Sequence, residues 1–347
     1  MTSLLGSHTY QEITTQHHAW AASLSAVKEQ AASWLDWLRK PREVIFTGCG
    51  STHYLSLAAA ANWQSTTGIR ARGVPSSELW LFPDSALPTQ SALLIAVSRS
   101  GETTETLRAV ETYEARTQGD WLAVTCYADR PLVARAPHAI VARQAEEQSV
   151  AQTRSFTSMF VVTLALAALV AGRDEDLIQL QTVPEHGKRS MAEYESLARA
   201  LAEHHRSERF VFLGSGQNYG LACEAMLKMK EMSLSPSEAF HFMEFRHGPK
   251  SVVTPGTLIV GLMSDTARAQ EAAVLAEMRD LGATVLALAE SSDGLTADHV
   301  IEFKSGLDER ARSVLALPVL QLLAYYRAMS KGLDPDRPTH LDAVVRL

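Results

Sequence analysis

The sequence predicts an α/β protein with two similarly folded halves, each a parallel sheet flanked by helices. Two observations predict this class. Short apolar runs alternate with longer segments of helical periodicity, which is the pattern of parallel strands joined by crossover helices. The runs at 45–50 and 93–95 also return, with similar residues, at 211–216 and 258–260. Because a third run repeats at about the same interval, the whole α/β unit is predicted to be duplicated.

The elements of the first half follow in order from the N-terminus. Apolar side chains at helical spacing over 8–39 predict one or two lead-in helices. The run Val44-Ile45-Phe46 begins a strand that ends in Gly48-Cys49-Gly50-Ser51-Thr52, and a helix is predicted from there to about Thr66. The remaining elements of this half are predicted strands at 93–97 and 121–125 and a buried helix at 160–171.

The second half repeats this order, with a helix predicted over 219–233 after its first strand. Charge and polarity rise over 172–193, which predicts the boundary between the halves there. The predicted organisation is lead-in helices in 1–40, a first domain over 41–175, a second over 195–330 and a C-terminal tail over 331–347.

Composition excludes several classes of protein. The net charge is −7 and no basic tract is present, so nucleic acid and anionic lipid are not expected as partners. No apolar run reaches the roughly 20 residues of a membrane span, and the N-terminus lacks the basic-then-apolar order of a signal peptide. The three scattered cysteines have no metal-ligand spacing and predict a reducing, cytoplasmic location.

Two hydroxyl-rich loops follow predicted strands and indicate an anion site. They read Gly50-Ser51-Thr52 and Ser98-Arg99-Ser100-Gly101-Glu102-Thr103. Short hydroxyls and free N–H groups at a helix start bind a tetrahedral anion without a metal. The alternative is that these residues only cap two helices. A dinucleotide is not expected, because the third glycine of its fingerprint is missing, and the second half has Asp265 in the matching loop, which would repel an anion.

Two further clusters suit proton transfer. Glu224, Lys228 and Glu231 are spaced to share one helix face, although such spacing is also typical of a solvated face with ion pairs. His247 is followed by Gly248-Pro249, which ends any helix and presents the imidazole on a fixed turn. Histidine moves protons near neutral pH, but an isolated histidine is more often structural.

Together these motifs resemble the sugar isomerase (SIS) family, over nearly the whole chain. The resemblance rests on four sequence motifs, which are SRSGET, EAMLKMKEMS, SEAFHFMEFRHGPKS and DPDRPTHLDAVV. They are similar to the isomerase half of glucosamine-6-phosphate synthase and to its stand-alone relatives. The resemblance implies two tandem SIS domains, each a flavodoxin-like three-layer αβα sandwich.

The resemblance also implies a role for each matching residue. The phosphate of a sugar phosphate would be held by Ser51, Thr52, Ser98, Arg99, Ser100 and Thr103. Contacts with the sugar are implied for Gly50, Val150, Gln152 and Glu224. Glu231 would move a proton between C1 and C2 with help from Lys228, and His247 of a neighbouring subunit would open the ring. A homodimer with shared active sites, a C-terminal tail over the active site and chemistry without metal or cofactor are implied as well.

Two departures narrow the expected activity. The synthase begins with a glutaminase domain, and no such domain is found in this sequence. The synthase also has a lysine in its C-terminal tail that forms an imine with the ketose, and the matching residue here is Ala343. Arg99 and the FRHGPKS stretch look more like the stand-alone isomerases and deaminases. We therefore expect an aldose–ketose isomerase acting on a six-carbon sugar phosphate or amino-sugar phosphate, with deamination in the latter case. The alternatives are a non-catalytic sugar-phosphate sensor and an ammonia-dependent transferase.

Overall fold

The computed structural model describes residues 5–40, 43–88, 92–117, 119–204 and 208–346. Its contacts divide the chain into two compact units. The first-half unit comprises Thr15–Gln148, Gln152–Pro184 and Asp342–Leu347. The second-half unit comprises Met1–Thr14, Ser149–Ala151 and Glu185–Leu341. Two segments therefore belong to a different unit from the residues next to them in sequence. Ser149–Ala151 belongs to the second-half unit, and Asp342–Leu347 belongs to the first-half unit.

The first half contains a parallel sheet of five strands within the described residues, in the order β2-β1-β3-β4-β5. The strands are β1 (Glu43–Gly48), β2 (Arg70–Pro75), β3 (Leu93–Ser98), β4 (Trp121–Thr125) and β5 (His138–Val141). The helices that precede β6 in the chain are α1 (Ser7–Ala31), α2 (Leu35–Leu38), α3 (Ser51–Thr67), α4 (Ser76–Leu81), α5 (Pro83–Ala86), α6 (Thr104–Thr117), α7 (Pro131–Arg135), α8 (Arg154–Ala171) and α9 (Asp174–Glu203). The division between the two units falls inside α9.

The second half has the same topology, with the strand order β7-β6-β8-β9-β10, also parallel. Its strands are β6 (Arg209–Gly214), β7 (Ser237–His241), β8 (Thr257–Leu262), β9 (Thr284–Ala289) and β10 (His299–Glu302). Its helices are α10 (Gln217–Ser233), α11 (Phe242–Phe245), α12 (Arg268–Asp280), α13 (Glu309–Arg312) and α14 (Ala316–Ser330). Short 3-10 turns lie at Arg143–Ala145, Pro249–Val252 and Ser313–Leu315. The predicted α/β class with a repeated parallel sheet is confirmed.

The central strands are buried on both faces, which explains their continuous apolar sequences. Every residue of β3 and of β8 is buried, as expected for parallel strands covered by helices on both sides. The predicted strands at 44–46, 93–97 and 121–125 and the predicted helix at 219–233 all lie within observed elements. Helix α8 is long and apolar enough to cross a membrane, but 83% of it is buried inside the protein, which identifies it as a core helix.

Each sheet has one topological switch point. In the first half the chain passes from β1 to β2 at one side and then returns to place β3 on the other side of β1. In the second half the chain likewise passes from β6 to β7 at one side and then returns to place β8 on the other side of β6. In open parallel sheets, ligands bind at the carboxyl ends of the strands beside such a point. The topology therefore selects the loops after β1 and β3, and those after β6 and β8, as candidate ligand sites.

Candidate active site

The loop after β1 places two hydroxyls at the switch point of the first half. Gly50 has φ +56° and ψ −123°, a conformation that favours glycine, and α3 begins at the next residue. The side chains of Ser51 and Thr52 are buried. The Thr52 hydroxyl accepts a hydrogen bond from the Cys49 N–H and donates one to the Cys49 carbonyl, both at 2.9 Å. The positive end of the α3 dipole and these hydroxyls thus lie together at the carboxyl edge of the sheet.

The loop after β3 supplies the second set of hydroxyls. The Gly101 N–H donates to the Ser98 hydroxyl at 3.1 Å, and the Glu102 N–H donates to the Ser100 hydroxyl at 3.2 Å. These hydroxyls therefore brace the loop, and their donors are loop N–H groups that precede α6 rather than N–H groups of the helix. The hydroxyls act as acceptors, so each keeps its own O–H proton as a group that can be donated. Thr103 follows in the same loop, immediately before α6.

Arg99 is held inside the first half by a buried carboxylate. Its guanidinium lies 3.4 Å from the carboxylate of Glu147, and the two side chains are 7% and 0% exposed. Glu147 also accepts hydrogen bonds from the backbone N–H and the hydroxyl of Thr153 at 2.7 and 2.8 Å, and from Ser155. A buried ion pair is tolerated only when further hydrogen bonds complete it, as they do here. The ion pair between Arg99 and Glu147 thus connects the loop after β3 with the segment that precedes α8.

The last residues of the chain lie against the same loop. The Arg99 guanidinium donates to the carbonyl of Ala343 at 3.0 Å, and the Thr104 N–H at the start of α6 donates to the carbonyl of Val345 at 3.3 Å. Arg346 forms an ion pair with Glu102 at 3.0 Å. The C-terminal tail therefore contacts the loop after β3 and the start of α6 in two ways. Its backbone carbonyls accept hydrogen bonds, and Arg346 forms an exposed ion pair.

The segment expected to contact the sugar is shared between the two units. In the second-half unit, the Val150 N–H donates to the carbonyl of Asp336 at 3.0 Å, and Glu12 accepts hydrogen bonds from Ser149. Gln152 belongs to the first-half unit, and its side-chain oxygen is buried without a hydrogen bond to any part of the chain that the structure describes. Buried polar atoms are usually paired, so this amide oxygen is one of several in the described residues that keep an unused acceptor.

Helix α10 brings its three charged side chains into one buried row. The Lys228 ammonium lies 3.3 Å from the Glu224 carboxylate and also donates a hydrogen bond to Glu231. Lys228 and Glu224 are 1% and 0% exposed, whereas Glu231 is 19% exposed. Charged side chains are rarely fully buried unless they are paired. A solvated surface row, the alternative that the spacing allowed, is excluded by this burial.

The charge state of this row follows from its partners. Burial by itself lowers the pKa of Lys228, but the nearby carboxylates of Glu224 and Glu231 outweigh it and raise the pKa of the amine. Lys228 therefore stays protonated at neutral pH and is a hydrogen-bond donor rather than a base. Of the three groups, Glu231 is the one with access to solvent and thus to a bound molecule.

His247 lies on an anchored, exposed turn of the second half. Helix α11 ends at Phe245, and Gly248 has φ +113°, which favours glycine. Lys250 and Arg246 both pair with Glu277 of α12, at 2.5 and 2.8 Å, and hold the turn. The His247 side chain is exposed, and its imidazole forms no hydrogen bond with the described residues. The turn thus presents the imidazole outward.

Two functional candidates were not predicted from the sequence. Glu147 is the buried partner of Arg99, and only its place five residues before Gln152 hinted at a role. Asp336, in the DPDRP stretch, accepts hydrogen bonds from the His8 and Thr9 N–H groups at 3.1 and 2.7 Å and so caps α1. No local signal connects that aspartate with a helix at the other end of the chain.

Comparison with known proteins gives a consistent match. A family model described as the SIS domain matches residues 37–169 and 204–325. Glutamine–fructose-6-phosphate aminotransferase (isomerizing) of Symbiobacterium thermophilum is 31% identical over 321 residues, covering 88% of this chain and 51% of the relative. The enzyme of that name from Methanothermobacter thermautotrophicus is 27% identical, covering 91% of this chain and 55% of the relative. The chain spans about half the length of these relatives.

Two solved structures are similar over nearly their whole length. A glucosamine-6-phosphate deaminase from Thermotoga maritima superposes with a TM-score of 0.76 at 28% identity, covering 98% of this chain and 100% of that one. A tagatose-6-phosphate ketose/aldose isomerase from Escherichia coli superposes with a TM-score of 0.86 at 26% identity, covering 95% of both chains.

Proposed function

This chain belongs to the SIS domain family, and on that premise we propose that it is a phosphosugar isomerase that moves a proton between C1 and C2 of a six-carbon sugar phosphate. The observation that carries the proposal is the α10 row, in which a buried ammonium holds a carboxylate that is still accessible. The accessible carboxylate can act as a proton acceptor, a role that binding alone of a sugar phosphate does not require. The similarity to an isomerase and a deaminase of sugar phosphates supports the same activity.

In the proposed mechanism, the phosphate group is bound by the two hydroxyl loops of the first half. Its oxygens accept hydrogen bonds from the hydroxyls of Ser51, Ser98, Ser100 and Thr103 and from N–H groups at the starts of α3 and α6. The Thr52 hydroxyl joins them once it releases the Cys49 carbonyl. Arg99 adds positive charge beside the loop. Gln152, with its unpaired side-chain oxygen, and Val150 contact the sugar hydroxyls and orient the chain of carbon atoms.

Proton transfer then requires one base and one ring-opening group. His247 of a partner subunit moves the ring-oxygen proton and opens the pyranose, which exposes the C1 carbonyl. Glu231 takes the proton from C2, giving a cis-enediolate. The proton of the C2 hydroxyl then passes to O1, and Glu231 returns its proton to C1 to give the ketose. Lys228, with Glu224 behind it, donates to the Glu231 carboxylate and keeps it oriented. Positioned acid–base groups typically accelerate such steps by about 10²- to 10⁴-fold.

The same proton movement on an amino-sugar phosphate would release ammonia. Removal of the C2 proton and its return to C1 converts the C2 amine into an imine, which water hydrolyses to a ketose phosphate and ammonia. Ammonia-dependent synthesis is less well supported, because Ala343 occupies the tail position at which the synthase has its imine-forming lysine. The three cysteines are free, which agrees with our proposal of a cytoplasmic location.

The proposal is tested by incubating the purified protein with glucosamine 6-phosphate, galactosamine 6-phosphate and fructose 6-phosphate. We expect interconversion of an aldose and a ketose phosphate or release of ammonia from at least one of the three. Nitrogen from glutamine should not be incorporated, and labelled ammonia should enter a ketose phosphate no faster than the reverse of the deamination allows. Binding of these compounds without turnover would instead identify a sensor and overturn the proposal.

Removing two hydroxyls of the phosphate loop should weaken binding selectively. In the double variant Ser100→Ala/Thr103→Ala, two hydrogen bonds to a charged group are lost, so the Kd for a sugar 6-phosphate should rise about 100-fold. Binding of the neutral sugar should not change. Calorimetry measures both, and Ser85→Ala/Thr182→Ala, which removes two exposed hydroxyls elsewhere, is the matched control. An equal loss for both ligands would mean that the loop does not hold the phosphate.

The shared site makes a prediction about assembly. If the active site combines Glu231 of one subunit with His247 of another, homodimers of Glu231→Gln and of His247→Ala should both be inactive. After subunit exchange, half of the dimers are mixed, and each of those has one intact site. Activity should therefore recover to about a quarter of the wild-type value, given two-fold symmetry. Mixtures no more active than the parents would show that each site is built from one chain.

A further inference from the structure

The switch point of the second half is built like that of the first. Gly216 has φ +55° and ψ −130°, almost the conformation of Gly50, and it likewise precedes a long helix. The loop after β8, with Met263, Ser264 and Asp265, lies where Ser98 and Ser100 lie in the first half. We call the loops after β1 and β3 the first cradle and the loops after β6 and β8 the second cradle. By topology alone, the second cradle is a candidate site for an oxyanion.

A carboxylate of the chain already lies in this second cradle. Glu271 of α12 is 1% exposed, and its carboxylate accepts a hydrogen bond from the Ser264 N–H at 2.7 Å. Burial raises the pKa of Glu271, while hydrogen bonds from the Ser264 N–H and from the hydroxyls of Ser215 and Ser264 act in the opposite direction. The carboxylate is thus bonded by the loop after β8 and lies near Ser215 in the loop after β6.

A second carboxylate and an arginine complete the arrangement. The Asp265 N–H donates to the carboxylate of Glu309 at 2.8 Å. The buried guanidinium of Arg312 pairs with the Asp265 carboxylate and donates to the carbonyl of Leu307 at 2.7 Å. The adjoining cavity, which Glu309 and Arg312 line, measures about 10 Å³, enough for one water molecule at most.

The first half differs at the corresponding places. The repeat aligns Glu271 with Thr106, whose short side chain lies 3.5 Å from the Cys49 sulfur and 3.4 Å from the Ser76 hydroxyl. No carboxylate extends from that position toward the loops. The charges are also exchanged: the first loop carries a cation, Arg99, paired with Glu147, whereas the second carries an anion, Asp265, paired with Arg312.

We propose that Glu271 and Glu309 are built-in ligands of the second cradle, in place of an external oxyanion. The chain then binds one sugar phosphate, in the first half. In the second half, the donors that would bind a second anion are already bonded to the carboxylates of Glu271 and Glu309. Removing the Glu271 side chain should open a site for a small carboxylate or for inorganic phosphate. The proposal rests on the proposed function only for the nature of the ligand in the first half.

The test compares Glu271→Ala with the wild type and with Asp280→Ala, a substitution of an exposed aspartate at the end of the same helix. Loss of the buried acceptor should lower the Tm of Glu271→Ala by about 3 °C. Sodium acetate at ten times its dissociation constant should restore about 2 °C in this variant alone. Sodium chloride at equal ionic strength and neutral acetamide should restore nothing, and inorganic phosphate should act like acetate if the opened site accepts it.

An acetate response that is equal in all three proteins, or absent from a folded Glu271→Ala, would overturn the proposal. If Glu271→Ala does not fold, two other measurements decide. Glu271→Gln, whose amide still fills the cradle, should fold and show no acetate response. Calorimetry of the wild type should give one sugar phosphate per chain, and two per chain would refute the built-in ligands. Each result is independent of turnover, so a failure here leaves the proposed isomerase activity standing.

Discussion

The variant Glu231→Gln should lose turnover almost completely and keep its ligand. An amide has nearly the shape of the carboxylate but cannot take the C2 proton, so kcat should fall at least about 10³-fold, while the Kd for a sugar phosphate changes less than about threefold. The hydrogen bond from Lys228 can still be accepted by the amide oxygen, so the fold should be retained. Steady-state kinetics and calorimetry on the same preparation measure both quantities.

The matched control for this variant is Glu238→Gln, an exposed glutamate on β7 that has no part in the α10 row. Its kcat should equal that of the wild type. If Glu231→Gln retained more than a tenth of the wild-type kcat, the proton transfer would have to be assigned to another group. A parallel fall in kcat and in affinity would instead indicate that Glu231 holds the sugar rather than its proton.

The second large effect is expected at Lys228. Replacing it with methionine leaves the fully buried Glu224 carboxylate without its cation, and breaking a buried pair by removing one partner typically costs about 3–5 kcal/mol. Urea unfolding should therefore show a loss of this size, together with a loss of activity, because Glu231 also loses its donor. Lys230→Met, an exposed position on the same helix, is the control and should be close to neutral.

A double variant separates the two roles of Lys228. In Lys228→Met/Glu224→Leu the buried carboxylate is removed as well, and most of the lost stability should return, since replacing a buried pair by apolar side chains is often neutral. Activity should stay low, because the Glu231 carboxylate remains without its ammonium. Recovery of both stability and activity would show that the pair serves only to pack α10.

The fold could be predicted largely because its central strands are buried on both faces. Runs such as Leu93–Val97 are continuously apolar, which few other elements are, and their repetition predicts the second sheet. The edge strands β2, β5, β7 and β10 were missed. Of these, β2 and β7, with the sequences RARGVP and SEAFH, contain exposed polar residues and lack any apolar run or alternation. Strands β5 and β10 are only four residues long. Their pairing depends on the neighbouring strand rather than on their own composition.

The candidate site was predictable in its residue types and less so in its contacts. Hydroxyls and glycines after strands are a local signal, and they predicted the first cradle. Spacing on α10 placed Glu224, Lys228 and Glu231 on one face but left open whether that face is solvated, because burial is decided by distant elements. The partners of Arg99, which are Glu147 and the carbonyl of Ala343, lie 48 and 244 residues away and have no local signature.

The most direct test of the central claim is solvent exchange during turnover. Fructose 6-phosphate incubated with the protein in deuterated water should gain deuterium at C1, as followed by NMR, because a carboxylate that removes this proton exchanges it with solvent before returning it. The label should be absent with Glu231→Gln. A sugar phosphate that binds to the wild-type protein yet neither exchanges a proton nor changes its carbonyl position, across the three substrates named above, would contradict the assignment of this chain as an isomerase.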